Sequence, residues 1–124
     1  MDPQSLARVQ ALGRVAIGTA LVLAPRRAVS GWVGRDADRP SVQALTAALG
    51  IRDLALGVGA AGALWRGDGA RVWLRAGTAA DLVDFVATVR ARDGLPRLGV
   101  CGVGLLAASS AALGAYLQAV VDES

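Results

Sequence analysis

The sequence predicts an all-α protein that forms a bundle of four transmembrane helices, and three observations support this prediction. Hydrophobic residues make up 54% of the chain and charged residues only 19%, whereas soluble domains usually carry about 25% charged residues. Residues 98–121 contain no charge at all, and roughly 20 apolar residues are enough to cross a bilayer. The chain also contains 16 glycines, and small residues allow membrane helices to approach each other closely.

The 124 residues are predicted to form a single integral membrane domain. The turn between the second and third spans is flanked by Trp65 and Trp73, whose rings are typical of the membrane–water boundary. Pro25 and Pro40 bound a longer connection, 25–40, in which we expect an interfacial helix. The other connections are short, and the four predicted spans are residues 5–24, 41–65, 72–89 and 98–121.

The distribution of arginine predicts the orientation of the chain in the membrane. The connections 25–40 and 90–97 contain more arginine than the opposite side, and the C-terminus carries the acidic residues Asp122 and Glu123. Because cytoplasmic loops are enriched in basic residues, we expect both connections in the cytoplasm. The sequence thus predicts a multi-pass protein of the cell membrane with both termini on the extracytoplasmic side.

Composition also excludes several kinds of site. The chain has no histidine and a single cysteine, so it offers neither the ligands of a structural zinc site nor an imidazole base, and we expect no metal and no cofactor. The net charge is +3, but no basic stripe is interleaved with aromatic residues, so we expect no nucleic acid partner. The expected partners are the lipid bilayer, further copies of the chain, and a hydrophobic small molecule.

Charged residues near the middle of the predicted spans form the main functional signal. Arg52 and Asp53 lie near the centre of the second span, and a rise of about 1.5 Å per residue places Asp84 and Arg14 at a similar depth. Asp81 lies three residues before Asp84 and therefore shares its helix face. The fourth span contributes Ser109 and Ser110 near its centre. One polar layer at the bilayer midplane is therefore predicted, with contributions from all four helices.

The charges in this layer are predicted to pair with each other. An unpaired Arg or Asp at the centre of a membrane helix costs about 2.5–3.5 kcal/mol. Two arginines and three aspartates leave a net charge of −1, so we expect one carboxyl group to keep a proton near neutral pH. The candidate acid or base residues are Asp53, Asp81 and Asp84. The candidate binding or ion-pairing residues are Arg14, Arg52, Ser109 and Ser110.

The segment LGIRDLALGVG, followed by DLVDF in the next span, resembles an uncharacterised family of small four-helix integral membrane proteins of bacteria and fungi. Its members share a G-x-R-D-x-x-x-G motif in the second helix, here Gly50, Arg52, Asp53 and Gly57. They also have an aspartate in the third helix. The resemblance implies a four-helix membrane domain and brings no activity with it.

Three classes of function are compatible with the sequence. In the first, the chain is a small integral membrane protein whose Arg/Asp layer holds the helices together, and the sequence indicates no specific activity. In the second, a protonated aspartate is the general acid of a membrane-embedded cyclase or isomerase that acts on a lipid-soluble substrate. In the third, a dimer is a proton-coupled small transporter, although Arg14 stands in the helix where small multidrug transporters carry a lone acidic residue.

Overall fold

A computed structural model describes residues 1–121, which form five α-helices and no strand. The predicted all-α class is confirmed. Two short 3₁₀ segments, Gly34–Asp38 and Arg92–Gly94, precede the third and fifth helices. The acidic residues Asp122 and Glu123 lie outside the described residues. The helices are α1 (Pro3–Leu23), α2 (Pro25–Val33), α3 (Pro40–Arg66), α4 (Ala70–Arg90) and α5 (Arg97–Val120).

The ends of the four long helices differ by at most two residues from the bounds that the sequence predicts for the four spans. The remaining helix, α2, lies in the 25–40 connection, where the sequence predicts a short helix. By length and composition, α1, α3 and α5 are apolar enough to cross a membrane. Helix α4 is less apolar because it carries two aspartates as well as Arg71, Arg75 and Arg90.

Local sequence explains where the helices begin and end. Proline occupies the first turn of α1, α2 and α3, where its missing N–H costs no hydrogen bond. The carboxylate of Asp2 caps α1, and the hydroxyl of Ser5 donates to it at 2.6 Å, which with the backbone N–H of Ser5 holds the pKa of Asp2 below its usual range. Gly67 ends α3 and Gly69 precedes α4, both with positive φ that glycine adopts without strain.

Helices α1 and α3 run antiparallel and contact each other through their backbones. A β-carbon on Gly57 would lie 2.8 Å from the carbonyl oxygen of Ala11, and one on Gly18 would lie 2.7 Å from the carbonyl oxygen of Gly50. Real β-carbons essentially never come so close, so each position requires glycine. The two glycines of the G-x-R-D-x-x-x-G motif therefore bring α1 against the segment that carries Arg52 and Asp53.

Helices α4 and α5 form the second closely packed antiparallel pair. The hydroxyl of Thr78 on α4 fills the space above Gly114 on α5. The amide of Gln118 donates to the same hydroxyl at 3.1 Å. Helix α3 also packs on α4, so the long helices follow the order α1, α3, α4, α5 in space, and α1 contacts α5 little.

The two ends of the bundle differ in packing. At the end that holds the N-terminus lies a buried hydrophobic core of mainly small side chains, in which six of the ten residues are alanine. At the other end α2 packs on the start of α5, where a β-carbon on Gly99 would lie 2.5 Å from the carbonyl oxygen of Trp32. The candidate site lies between these two regions. The core cluster consists of Ala7, Ala11, Ala60, Ala61, Ala63, Leu64, Ala70, Leu74, Leu117 and Val121.

Candidate functional site

The five charged side chains of the predicted layer form one continuous ion-pair network. Arg14 on α1 donates to Asp53 on α3 at 3.2 Å and to Asp81 on α4 at 2.7 Å. Arg52 on α3 donates to Asp53 at 3.1 Å and to both carboxylate oxygens of Asp84 on α4, at 2.9 and 2.6 Å. The alternating order along the network is Asp81, Arg14, Asp53, Arg52, Asp84. The network therefore ties together α1, α3 and α4.

Burial differs along this network. The side chains of Asp53 and Asp81 are 10% and 9% exposed, and that of Arg14 is 12% exposed. Arg52 and Asp84, at the far end, are 31% and 21% exposed. The three most buried members, Asp81, Arg14 and Asp53, are therefore largely shielded from the surroundings, and each makes at least two hydrogen bonds, as buried charges require.

Helix α5 joins the network through a neutral residue. The hydroxyl of Ser110 donates to the Oδ2 atom of Asp81 at 2.7 Å. The side-chain amide of Gln10 on α1 in turn donates to the carbonyl oxygen of Ser110 at 3.0 Å. Arg14 also approaches the backbone of α4, since its Nη2 atom lies 3.4 Å from the carbonyl oxygen of Gly77. All four long helices thus contribute to one polar cluster, which we call the Arg–Asp layer: Gln10, Arg14, Arg52, Asp53, Asp81, Asp84 and Ser110.

A cavity of about 600 Å³ adjoins this layer on the side of α2. Its floor contains the charged side chains of Arg14 and the three aspartates, whereas Arg52 does not line it. The walls are mainly apolar and include Ile17 of α1, Leu49 of α3 and Leu106 of α5. Trp32 of α2 closes the end opposite the charges, and its indole N–H is buried with no hydrogen-bond partner among residues 1–121.

Two oxygens of the layer lack hydrogen bonds although their residues line this cavity. The hydrogen bonds of Asp53 use only its Oδ1 atom, and those of Asp81 use only its Oδ2 atom. Within residues 1–121, the second oxygen of each carboxyl group therefore accepts nothing. With two arginines and three aspartates, the formal net charge of the layer is −1 if all five groups are ionised. The residues that line the cavity thus include two carboxyl groups that each have one oxygen without a hydrogen bond.

The structure brings together six of the seven residues singled out from the sequence. Arg14, Arg52, Asp53, Asp81, Asp84 and Ser110 all belong to the Arg–Asp layer. Ser109 does not: it is exposed on α5 and does not line the cavity. Neighbouring residues on a helix point about 100° apart, so only one of the two serines can face Asp81.

Two residues of the site were not singled out from the sequence. Gln10 precedes Arg14 by four residues, so the i, i+4 spacing on one helix face is a signal that could have found it. Trp32 lies in the 25–40 connection, for which the sequence predicts only an interfacial helix, and its place in the cavity depends on how α2 folds back onto α5. Sequence spacing gives no information on that tertiary contact.

Comparisons with known protein families, curated proteins and solved structures found no match to this chain. The family resemblance of the segment around Arg52 and Asp53 therefore stays a prediction. The structure gives the motif a physical reason that does not depend on relatives. Gly50 and Gly57 lie at the contact with α1, and the two charged residues between them bind side chains of α1 and α4.

Proposed function

We propose that this chain is an integral membrane protein of four spans whose Arg–Asp layer forms the floor of a pocket for a hydrophobic small molecule. The observation that carries the proposal is the cavity of about 600 Å³, with apolar walls and a charged floor. Small-molecule pockets are typically about 300–1,000 Å³, mostly apolar, with a few convergent polar groups. Ion pairs that only hold helices together would need no cavity beside them.

The surface of α4 supports its role as a fourth span. A helix of 21 residues is about 31 Å long, which matches the hydrocarbon layer of about 30 Å. Its two aspartates pair with arginines of α1 and α3 and so do not need to face lipid. Arg71, Arg75 and Arg90 lie near its ends, where long side chains reach the interface. Its outer face exposes the apolar residues Leu82, Val83, Phe85, Val86 and Val89.

Acid catalysis is the second candidate function, and the uncommitted oxygens of Asp53 and Asp81 favour it. A carboxyl group that keeps a proton beside an apolar cavity can donate it to a bound lipid-soluble substrate, as a cyclisation or isomerisation requires. Binding and catalysis make different predictions for Asp81→Asn, which removes the acid and keeps the shape. In a pure binding protein Asp81→Asn changes only how tightly the ligand is held, whereas in an enzyme unconverted substrate accumulates.

The test of the pocket is a cavity-filling variant with a matched control on the same helix. Ala20 and Ala16 are both exposed on α1, but only Ala20 lines the cavity. Protein extracted from its native membrane with mild detergent is analysed by native mass spectrometry for bound small molecules. We expect the wild type and Ala16→Trp to carry an additional hydrophobic mass, and Ala20→Trp to have lost most of it. A bound mass that is equal in Ala20→Trp and Ala16→Trp would overturn the proposal.

A further inference from the structure

The cavity is open on one side, between α1 and α5. Gly13, Ile17 and Ala20 follow one face of α1, and all three line the cavity and are exposed. Leu106 on α5 also lines the cavity and is 57% exposed. Because α1 packs along α3 and α5 packs along α4, these two helices leave a gap where they face each other.

Both ends of this gap are closed. On the side of the small-residue core, the hydrogen bonds from Gln10 to Ser110 join α1 to α5. On the other side, α2 connects to α1 and packs against Gly99 at the start of α5. If α1 and α5 cross the bilayer as proposed, the gap faces lipid rather than water. A molecule dissolved in the membrane would then reach the charged floor by moving sideways.

The charges on the floor select the head group of such a molecule. Both Nη atoms of Arg14 already donate to aspartates, and both oxygens of Asp84 already accept from Arg52. The atoms that accept nothing are one oxygen of Asp53 and one of Asp81, in a layer of formal charge −1. A head group that donates hydrogen bonds and carries one positive charge would satisfy both oxygens and neutralise the layer.

We propose that the cavity takes an amphiphile with a single apolar tail and a cationic, hydrogen-bond-donating head group, which enters from the bilayer between α1 and α5. This inference rests on the proposed function, because it names the ligand class and the entrance of the same pocket. The head group binds at Asp53 and Asp81, and the tail lies along the apolar walls toward Trp32.

The experiment compares three ligands with the same tail: decylamine, decanol and decanoate. Each is equilibrated at neutral pH with the protein in phosphatidylcholine nanodiscs, and binding to empty nanodiscs is subtracted to remove simple partitioning. We expect decylamine to bind about tenfold more tightly than decanol, as a charge-assisted hydrogen bond to a carboxylate implies, and decanoate to bind least. Asp81→Asn should reduce the preference for the amine, whereas Asp38→Asn, in an exposed ion pair with Arg26, should leave it unchanged.

A second pair of variants tests the entrance. A β-carbon on Gly13 or on Gly102 would meet nothing within 4 Å, so both positions accept a larger side chain, but only Gly13 lines the cavity. We expect Gly13→Leu to weaken decylamine binding about tenfold or more, and Gly102→Leu to have no effect. Unchanged decylamine binding by Gly13→Leu would overturn the proposed entrance. The same holds if the protein is a dimer and Gly13→Leu converts it to a monomer without loss of decylamine binding.

The outcomes distinguish the two proposals. Equal binding of the three ligands, or tighter binding of decanoate, would overturn the proposal of a cationic head group but would not contradict the pocket. Binding of all three no better than to empty nanodiscs would contradict the pocket itself. If Asp81→Asn fails to fold, the comparison of ligands on the wild type and the pair of glycine variants still decide the outcome.

Discussion

Asp53 lies at the middle of the Arg–Asp layer, because its Oδ1 atom accepts from arginines on two sides. Without it, the pair of Arg14 with Asp81 and the pair of Arg52 with Asp84 would be separate. Because of the excess negative charge, removing an aspartate and removing an arginine have different effects on the layer. With every group counted as ionised, loss of an aspartate brings the layer to neutrality, whereas loss of an arginine leaves two uncompensated carboxylates.

We therefore predict different costs for removing an acid and a base from the layer. Arg14→Met should lower the free energy of unfolding by about 3–5 kcal/mol, as does the loss of one partner from a buried ion pair. Asp53→Asn should cost only about 1–3 kcal/mol, since it weakens hydrogen bonds and removes the excess charge. The measurement is reversible unfolding in mixed micelles.

Arg26→Met is the control for these two variants. Arg26 and Asp38 form an exposed pair, with side chains 68% and 61% exposed, so its loss should cost no more than about 1 kcal/mol. Equal destabilisation by Arg14→Met and Asp53→Asn would contradict a layer with excess negative charge.

At the scale of the helices, the sequence predicts more of the fold than of the site. Proline at helix starts and glycine in the turn after α3 are local signals, so the ends of the long helices could be predicted to within two residues. The rise per residue also predicts depth, which is why Arg14 and Asp84 could be placed in one layer with Arg52. The depth of a residue does not tell in which direction its side chain points around the helix axis. The sequence therefore could not show which of Ser109 and Ser110 faces the layer.

The contact between α1 and α3 leads to a prediction for the glycines of the motif. A β-carbon on Gly57 would lie 2.8 Å from the backbone nitrogen of Val15, so Gly57→Leu should push the helices apart. We expect a loss of at least about 1–3 kcal/mol in the free energy of unfolding, the usual cost of overpacking. Gly102→Leu, at an open position on α5, should cost much less. Similar costs for the two variants would mean that α1 and α3 are not in backbone contact.

At the scale of the whole molecule, the proposed membrane arrangement depends on α4. Helices α1, α3 and α5 are long and apolar enough to cross a membrane by themselves. Helix α4 carries charges that only its neighbours neutralise, so hydropathy alone does not identify it as a span. Its ends provide a direct test, because Asp68 precedes it and Gly94 follows it, and both are exposed.

We predict that these two positions lie on opposite sides of the membrane. In a Cys101→Ser background, cysteines introduced as Asp68→Cys and Gly94→Cys are labelled in sealed vesicles with a membrane-impermeant maleimide. One variant should react before the vesicles are opened and the other only afterwards, whichever way the protein is oriented. Labelling of both from the same side would contradict a fourth span.

The ion pairs of the layer join helices that are far apart in the chain, and this has a consequence for biosynthesis. Arg14 leaves the ribosome well before Asp53 and Asp81, its partners at 3.2 and 2.7 Å in the finished protein. If α1 entered the lipid alone, its arginine would have no counter-ion for the time needed to synthesise two more helices. The first helix should therefore stay beside the insertion machinery, and move into the membrane together with the later segments that neutralise it.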